Sequence, residues 1–281
     1  MNWRLKCGAF QILEHLPGGG LLYRFAQQFV TGTHLLDVTD AYLRLHQFHV
    51  AQYGRVHPGR VLEFGGGRHF LSPLLLSNAG ATEVLVYDIQ RLSSPAQINH
   101  TIRQLRGRVP GEWPRIRDWS DLERMYRIRY LAPGDARNTG LGGSYVNFFC
   151  STSTLEHIPA ADIRLILAEC SRIAVPHAVF SNIIDYADHY HYADAGISLF
   201  NFYQYSERQW RWLNPSNHFQ NRLRHSDFEK IFRESDWKPV ETKAGTVSPD
   251  SIRTISIDPL FLRYDVKDLL TSIGHFVLMP A

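Results

Sequence analysis

Two carboxylates and three glycines carry the chemistry most plainly written in this chain. Val61-Leu62-Glu63-Phe64 is an apolar run that closes on an acid, and Gly65-Gly66-Gly67 turns the chain directly after it. Glu83-Val84-Leu85-Val86-Tyr87-Asp88 is a second such run, and its Asp88 falls 21 residues after Gly67. Glycines leave no Cβ in a turn, so a ligand can touch the backbone there. A helix expected from Arg68 points its positive end into the same space. A carboxylate at the end of the second strand can accept hydrogen bonds from both hydroxyls of a ribose, or simply cap a turn. Phe70 stands where a dinucleotide fingerprint has its third glycine, which argues against a pyrophosphate pressed onto this helix start.

A second group of reactive side chains lies further on. His157 follows the polar turn Ser151-Thr152-Ser153-Thr154 and is suited either to take a proton or to cap the next helix. Asp185, Asp188, His189 and His191 make an Asp-x-x-Asp-His-x-His pattern. Such residue types can ligate a cation, but structural or solvated roles are expected for most of the four, and no metal site is assigned.

These residues need elements to position them. The pattern predicts strands at 61–64, 83–88, 128–131, 145–150 and 178–184, with two late strand-like runs at 239–242 and 275–279. Helices are expected over 68–77, from Pro95 to about Arg106, over 121–127, from Pro159 onward and over 225–235. Strands alternating with helices imply a doubly wound, mostly parallel seven-stranded α/β sheet with helices on both faces. Glu63 and Asp88 then meet at the carboxyl edge of that sheet, where open α/β folds bind ligands. Residues 1–58 read as a helical N-terminal cap, with periodic stretches led by Leu5, Phe10, Leu13 and Leu16, then Leu21 to Val30, then Val38 to Tyr53. Residues 59–281 form the core. It carries a Trp- and Arg-rich insertion at 107–127 and an aromatic lid or substrate loop at 185–220.

Composition narrows the function classes. The 281 residues are 44% hydrophobic and 20% charged, as in a globular protein with a real core. A net charge of +3 is too small to argue for nucleic acid. Arg103 to Arg129 include a basic cluster interleaved with Asp118, Asp121 and Glu123, which reads as a solvated helical face before it reads as a phosphate site. Three widely spaced cysteines without a CxxC suggest a reducing compartment, and no run reaches membrane-spanning length, so a cytoplasmic location is expected.

Taken together, Glu63-Phe64-Gly65-Gly66-Gly67, Val86-Tyr87-Asp88-Ile89, Gly134-Asp135-Ala136 and Ser151 through Leu155-Glu156-His157-Ile158 resemble the class I S-adenosylmethionine-dependent methyltransferases. The resemblance covers about Arg60 to Ile184. It implies a Rossmann-like methyltransferase sheet and S-adenosyl-L-methionine as cofactor. It further implies that Glu63, Gly65, Gly66 and Gly67 line the methionine moiety and that Asp88, followed by Ile89, holds the ribose. Asp135 and Ala136 would meet the adenine, and Ser151 would lie near the methionine amino group. His275–Met279 would be the family's antiparallel last strand. Asn147 replaces an aspartate that often opens strand four, a change expected to alter one local hydrogen bond.

The reaction so implied is methyl transfer to a small-molecule or glycan acceptor, with a hydroxyl oxygen favoured and a carboxylate second. A hydroxyl profits from a base, for which His157, Asp185 and His189 are the candidates. A nicotinamide-dependent oxidoreductase on a similar sheet and a non-catalytic cofactor-binding scaffold are the rival readings.

Overall fold

The computed structural model describes residues 2–17, 37–56 and 58–281. The stretch 21–30, read above as a helix, lies outside these residues. Seven strands form one sheet: β1 Arg60–Phe64, β2 Glu83–Tyr87, β3 Ile128–Leu131, β4 Val146–Thr152, β5 Ala174–Asp185, β6 Trp237–Thr246 and β7 Thr271–Pro280. Their order is β3-β2-β1-β4-β5-β7-β6. The first five strands pair in parallel, and β7 runs antiparallel to both β5 and β6.

β1, β2 and β4 are largely continuous apolar runs because both faces of the sheet are covered there. Val61, Val84, Val86 and Phe148 feed one core, whereas Leu62, Phe64, Leu85 and Phe149 feed the other, as the two-residue side-chain period requires. Glu63 shares the first face with Val61 and is thereby carried into a buried position. Asn147 accepts a hydrogen bond from the Arg60 N–H at 2.9 Å, so the departure from the family pattern is a brace between β4 and the start of β1.

The helices that matter to the site are α1 Trp3–His15, α2 Asp40–Tyr53, α3 Leu71–Asn78, α4 Pro95–Leu105, α5 Trp119–Tyr126, α6 Ala160–Ile173, α7 Glu207–Leu213 and α8 His225–Arg233. Ser94 and Pro95 start α4 as its cap and first turn, and Asp118 caps α5. α3 begins three residues later than expected. Phe70 adopts a left-handed conformation (φ +55°) and ends the turn that follows the glycines. Among the described residues no helix is long and apolar enough to cross a membrane.

The N-terminal helix departs from expectation in its buried stripe. Trp3, Cys7 and Phe10 are buried, while Leu5 and Leu16 are exposed. The reason is its partner: α1 packs on the 185–220 insertion, where Trp3 meets Tyr190 and Tyr205, and Phe10 meets His218. Burying Trp3 and Phe10 contributes about 1.5–3 kcal/mol each. The insertion has its own core of Tyr190, Phe200, Phe202, Tyr203 and Trp210, closed by Trp3, Cys7, Phe261 and Leu269.

The 107–127 segment wraps onto α4, pinned by paired hydrogen bonds between Asn99 and Ile116 at 2.7 and 3.0 Å. The arginines here serve structure: Arg106, at the end of α4, donates to the Trp113 carbonyl, Arg127 to those of Ala81 and Ser77, and Arg117 and Arg124 share Asp121.

Candidate active site

The carboxyl ends of β1, β2 and β4 open into a cavity of about 670 Å³. The glycine turn forms its floor. Gly65 and Gly67 have φ of +79° and +63°, the left-handed region that side chains strain to adopt. A Cβ on Gly65 would sit 2.2 Å from the Thr154 Oγ1, and one on Gly66 2.4 Å from Val86 Cγ1. These two glycines are therefore required by close packing of the turn itself, and a Cβ at Gly67 would meet open space.

Two acids face the cavity above the turn. Glu63 is 1% exposed, and its Oε2 has no hydrogen-bond partner among the described residues. Burial, and then the nearby Asp88, push its pKa well above the usual carboxylate range. Asp88 is 5% exposed, its Oδ2 is likewise without a partner, and burial raises its pKa to about 7 against the pull of the Tyr130 hydroxyl and the Gly66 N–H.

Next to Glu63 stands a residue the sequence reading missed. His46 of α2 lines the cavity with Tyr42, its Nδ1 2.5 Å from the Ser72 Oγ and its Nε2 without a partner among the described residues. Burial holds its pKa down at about 3, so the ring is neutral. One turn on, His49 is fully buried and ties β4 to β5 through Thr152 Oγ1 at 2.9 Å and Ser181 Oγ at 2.7 Å. Histidines at 46 and 49, on the same helical face as Leu43 and Gln52, were the available signal.

The far wall carries Gly134, Asp135, Ala136 and Arg137, with Ile89 at 67% exposure on the rim. Asp135 reaches the cavity, but Arg137 grips its carboxylate at 2.7 Å and also holds Asp162 at 2.9 Å. The guanidinium keeps the Asp135 pKa below its ordinary value. Ser151 does not reach the cavity. It is fully buried and donates to Asn182 Oδ1 at 2.9 Å across the β4–β5 register, so Thr152, Ser153 and Thr154 form this part of the wall instead.

The remaining side of the cavity is built from three separate segments. A 3₁₀ turn, Leu155–His157, follows β4 and is braced by Asn221. The Asn221 Nδ2 donates to the carbonyls of Leu155 and Ile158 at 2.8 Å each, and its N–H to that of Glu156 at 2.7 Å. His157 lines the cavity and donates from Nδ1 to the Phe219 carbonyl at 2.7 Å, which leaves the lone pair on Nε2. The residue is exposed, yet the protein packed around its ring and then the neighbouring His189 lower its pKa to about 4.

Asp185 and His189 do not line the cavity themselves but stand behind His157. The His157 and His189 rings are 4.7 Å apart, and His189 Nε2 lies 3.5 Å from Asp185 Oδ2. Burial works to raise the Asp185 pKa, but His189, the Tyr192 hydroxyl at 2.6 Å and the Ala187 N–H at 2.9 Å outweigh it and hold it low. Glu156, missed as a site residue, is 2% exposed with both carboxylate oxygens unpartnered among the described residues. Burial, and then Asp185, raise its pKa well above the usual range.

Asp188 and His191 are structural, capping the Tyr190 and Asn201 donors and the Ile197 carbonyl respectively. The aromatic residues of the 185–220 insertion do not line the cavity, apart from Phe219. Tyr186, Tyr190, Phe200, Phe202, Tyr203 and Trp210 are buried away from the cavity, Tyr192 and Trp212 are exposed elsewhere, and Ser216 to Phe219 supply the insertion's contribution. Arg224 is fully buried, donating to the Tyr186, Asp268 and Thr271 carbonyls, and is likewise a structural residue.

No family model matches the sequence, and no curated protein does. Among solved structures the chain is similar to geranyl diphosphate methyltransferase in complex with SAM, at a TM-score of 0.51 and 13% identity over 85% of this chain and 86% of that one. It is also similar to magnesium protoporphyrin IX methyltransferase from Synechocystis PCC 6803 with bound SAH, at a TM-score of 0.50 and 12% identity over 97% and 100% of the two chains. The fold is that of the class I methyltransferases. At such identity the likeness is one of fold. Against mitomycin 7-O-methyltransferase the chain spans 60% of the other protein's length, with a TM-score of 0.46 and 13% identity over 97% of this chain. Within the methyltransferase fold, the cavity occupies the carboxyl edge of the parallel strands, the position at which open α/β sheets bind ligands.

Proposed function

We propose that this protein binds S-adenosyl-L-methionine and transfers its methyl group to a hydroxyl oxygen of a small molecule or glycan. The observation that carries the reading is a pair of buried carboxylate oxygens, on Glu63 and Asp88, that have no partner among the described residues and whose side chains line one cavity beside a glycine turn. Buried acceptors left without donors are costly, so a ligand with matching donors is the natural complement. S-adenosylmethionine offers hydroxyls to Asp88 and an ammonium to Glu63, and the residues present fit it. Glu63, Gly65, Gly66, Gly67, Asp88 and Ile89 would hold it together with Asp135 and Ala136, and Tyr42 and His46 would add to that set. When bound, the cofactor supplies a methyl group on a positively charged sulfur, already a strong electrophile.

The chain's own task is then alignment of the acceptor and management of its proton. Ser216 to Phe219 bound the acceptor side, and His157 presents a neutral nitrogen lone pair there. Asp185 and His189 support it from behind. Phe70 favours a methyl donor over a dinucleotide: its buried ring and left-handed backbone separate the glycines from the start of α3.

Calorimetric titration with S-adenosylhomocysteine tests the reading. Micromolar binding is expected, weakened by Asp88→Ala by about 1.5–3 kcal/mol for a lost charged acceptor. A wild-type protein that binds NADH and not S-adenosylhomocysteine would replace this reading with the oxidoreductase one.

A further inference from the structure

We propose that Glu156, His157 and His189 form a binding site for a divalent transition-metal ion at the acceptor side of the cavity. Glu156 and His157 come from the 3₁₀ turn after β4, and His189 from the segment after β5. One ligand-capable atom from each of the three residues lies within 4.8 Å of the others. Small side-chain rotations bring such a set around one ion with bonds of about 2.0–2.2 Å.

Geometry alone would be a weak argument, and Glu156 supplies the stronger one. It is 2% exposed, and neither carboxylate oxygen has a hydrogen-bond partner among the described residues. A buried acid so placed calls for a counterpart. Protonation would remove its charge but leave both oxygens without partners, whereas a cation held with two imidazoles would engage the oxygens as well.

The surroundings resemble the outer shell of a metal site. His157 Nδ1 donates to the Phe219 carbonyl, the kind of bond that fixes the tautomer of a ligating histidine. Asp185 stands 3.5 Å from His189 Nε2 and is itself anchored by Tyr192 and Ala187. Asn221 clamps the turn that carries Glu156 and His157.

Two imidazoles and one carboxylate suit zinc, iron(II), cobalt(II) or manganese(II) better than magnesium or calcium, which favour oxygen ligands. Three protein ligands leave a coordination position open, and His157 forms part of the cavity wall. Resting on the methyltransferase reading, the ion would take the His157 Nε2 lone pair in place of the acceptor's proton, hold the acceptor's hydroxyl oxygen there and itself lower that oxygen's pKa.

The experiment uses the full chain, stripped with a chelator and titrated with cobalt(II), following both heat and the visible spectrum. One equivalent should bind with ligand-field bands. Glu156→Gln and His189→Gln should each weaken binding by more than about 100-fold, since even outer-shell partners are worth about 10–100-fold. S-adenosylhomocysteine affinity, measured on the same samples, should be unchanged in both variants and reports that each is folded. If one variant fails that control, the other decides. Asp88→Ala should show the converse, losing S-adenosylhomocysteine and keeping cobalt. Absence of stoichiometric cobalt binding by the wild type, or equal binding by the folded variants, overturns the site while leaving the cofactor reading intact.

Discussion

The two halves of the cavity are built on opposite plans. The half formed by β1, β2 and the glycine turn is made of residues close in sequence, fixed by main-chain geometry and buried on both faces of a sheet. The half opposite is assembled from the turn at 155–157, the segment after β5 and residues 216–221. It is held together by side-chain hydrogen bonds such as those of Asn221 and Gln220. A site that must bind one invariant molecule can be encoded locally, whereas one that must suit a particular partner is spread over the chain.

The contrast is most sharply broken at Gly65. Gly65→Ala meets both a left-handed backbone, at about 1–2 kcal/mol, and a 2.2 Å approach to Thr154. It is expected to abolish measurable S-adenosylhomocysteine binding. Gly67→Ala carries the backbone strain alone and should keep weak binding. Equal behaviour of the two in calorimetry would mean that packing against Thr154 does not shape the turn.

On the other half, His157→Ala should lower kcat by about 100-fold, the lower end for a residue that manages a proton. Its S-adenosylhomocysteine affinity should stay within about twofold of wild type. A large loss of affinity instead would show that the two halves are not separable.

A smaller effect concerns pH. The Asp88 pKa is raised from 3.8 to about 7 in the folded chain, mainly by burial. Between those values the native state holds a proton that the unfolded chain has released, so the ligand-free protein loses stability as pH rises through this window. A ligand that donates hydroxyl hydrogen bonds favours the ionised form. S-adenosylhomocysteine affinity should therefore rise by up to about tenfold per pH unit on approaching 7 and flatten above it. Asp88→Asn should remove the slope, as calorimetry between pH 5.5 and 8 at about half-unit steps would reveal.

The smallest change is expected at Arg137, whose partly exposed ion pairs with Asp135 and Asp162 are each worth less than about 1 kcal/mol. Arg137→Ala should shift the denaturant midpoint only slightly. A shift of several kcal/mol would make this clamp a structural element of the cofactor half.

The same division explains what could be read from the chain. The parallel strands beside the glycine turn were legible because buried strands leave continuous apolar runs, and β1 and β2 carry Glu63 and Asp88 at the ends of theirs. Ser151 was misplaced because a strand's register decides which of two neighbouring hydroxyls faces the cavity, and β4 runs two residues beyond its apolar stretch. His46 escaped notice because helix periodicity records which face is covered, not what covers it. Glu156 was passed over as part of a motif, since its burial depends on packing from three distant segments. The aromatic residues of 185–220 were read as a lid or substrate loop, and rings so densely placed have enough partners among themselves to build a core.

That separate core gives the molecule a kind of modularity. Helix α1 reaches the cavity through Ser216 and Asn217, which bond Glu14 and the Phe10 carbonyl. The N-terminal helix and the insertion thus behave as one cassette whose interior is independent of the parallel sheet. Substitutions within the cassette can reshape the acceptor wall while the nucleotide-binding frame keeps its own packing. Acceptor preference can thereby drift in evolution, or be exchanged by grafting, as long as Asp185 and His189 of the same insertion keep their places behind His157.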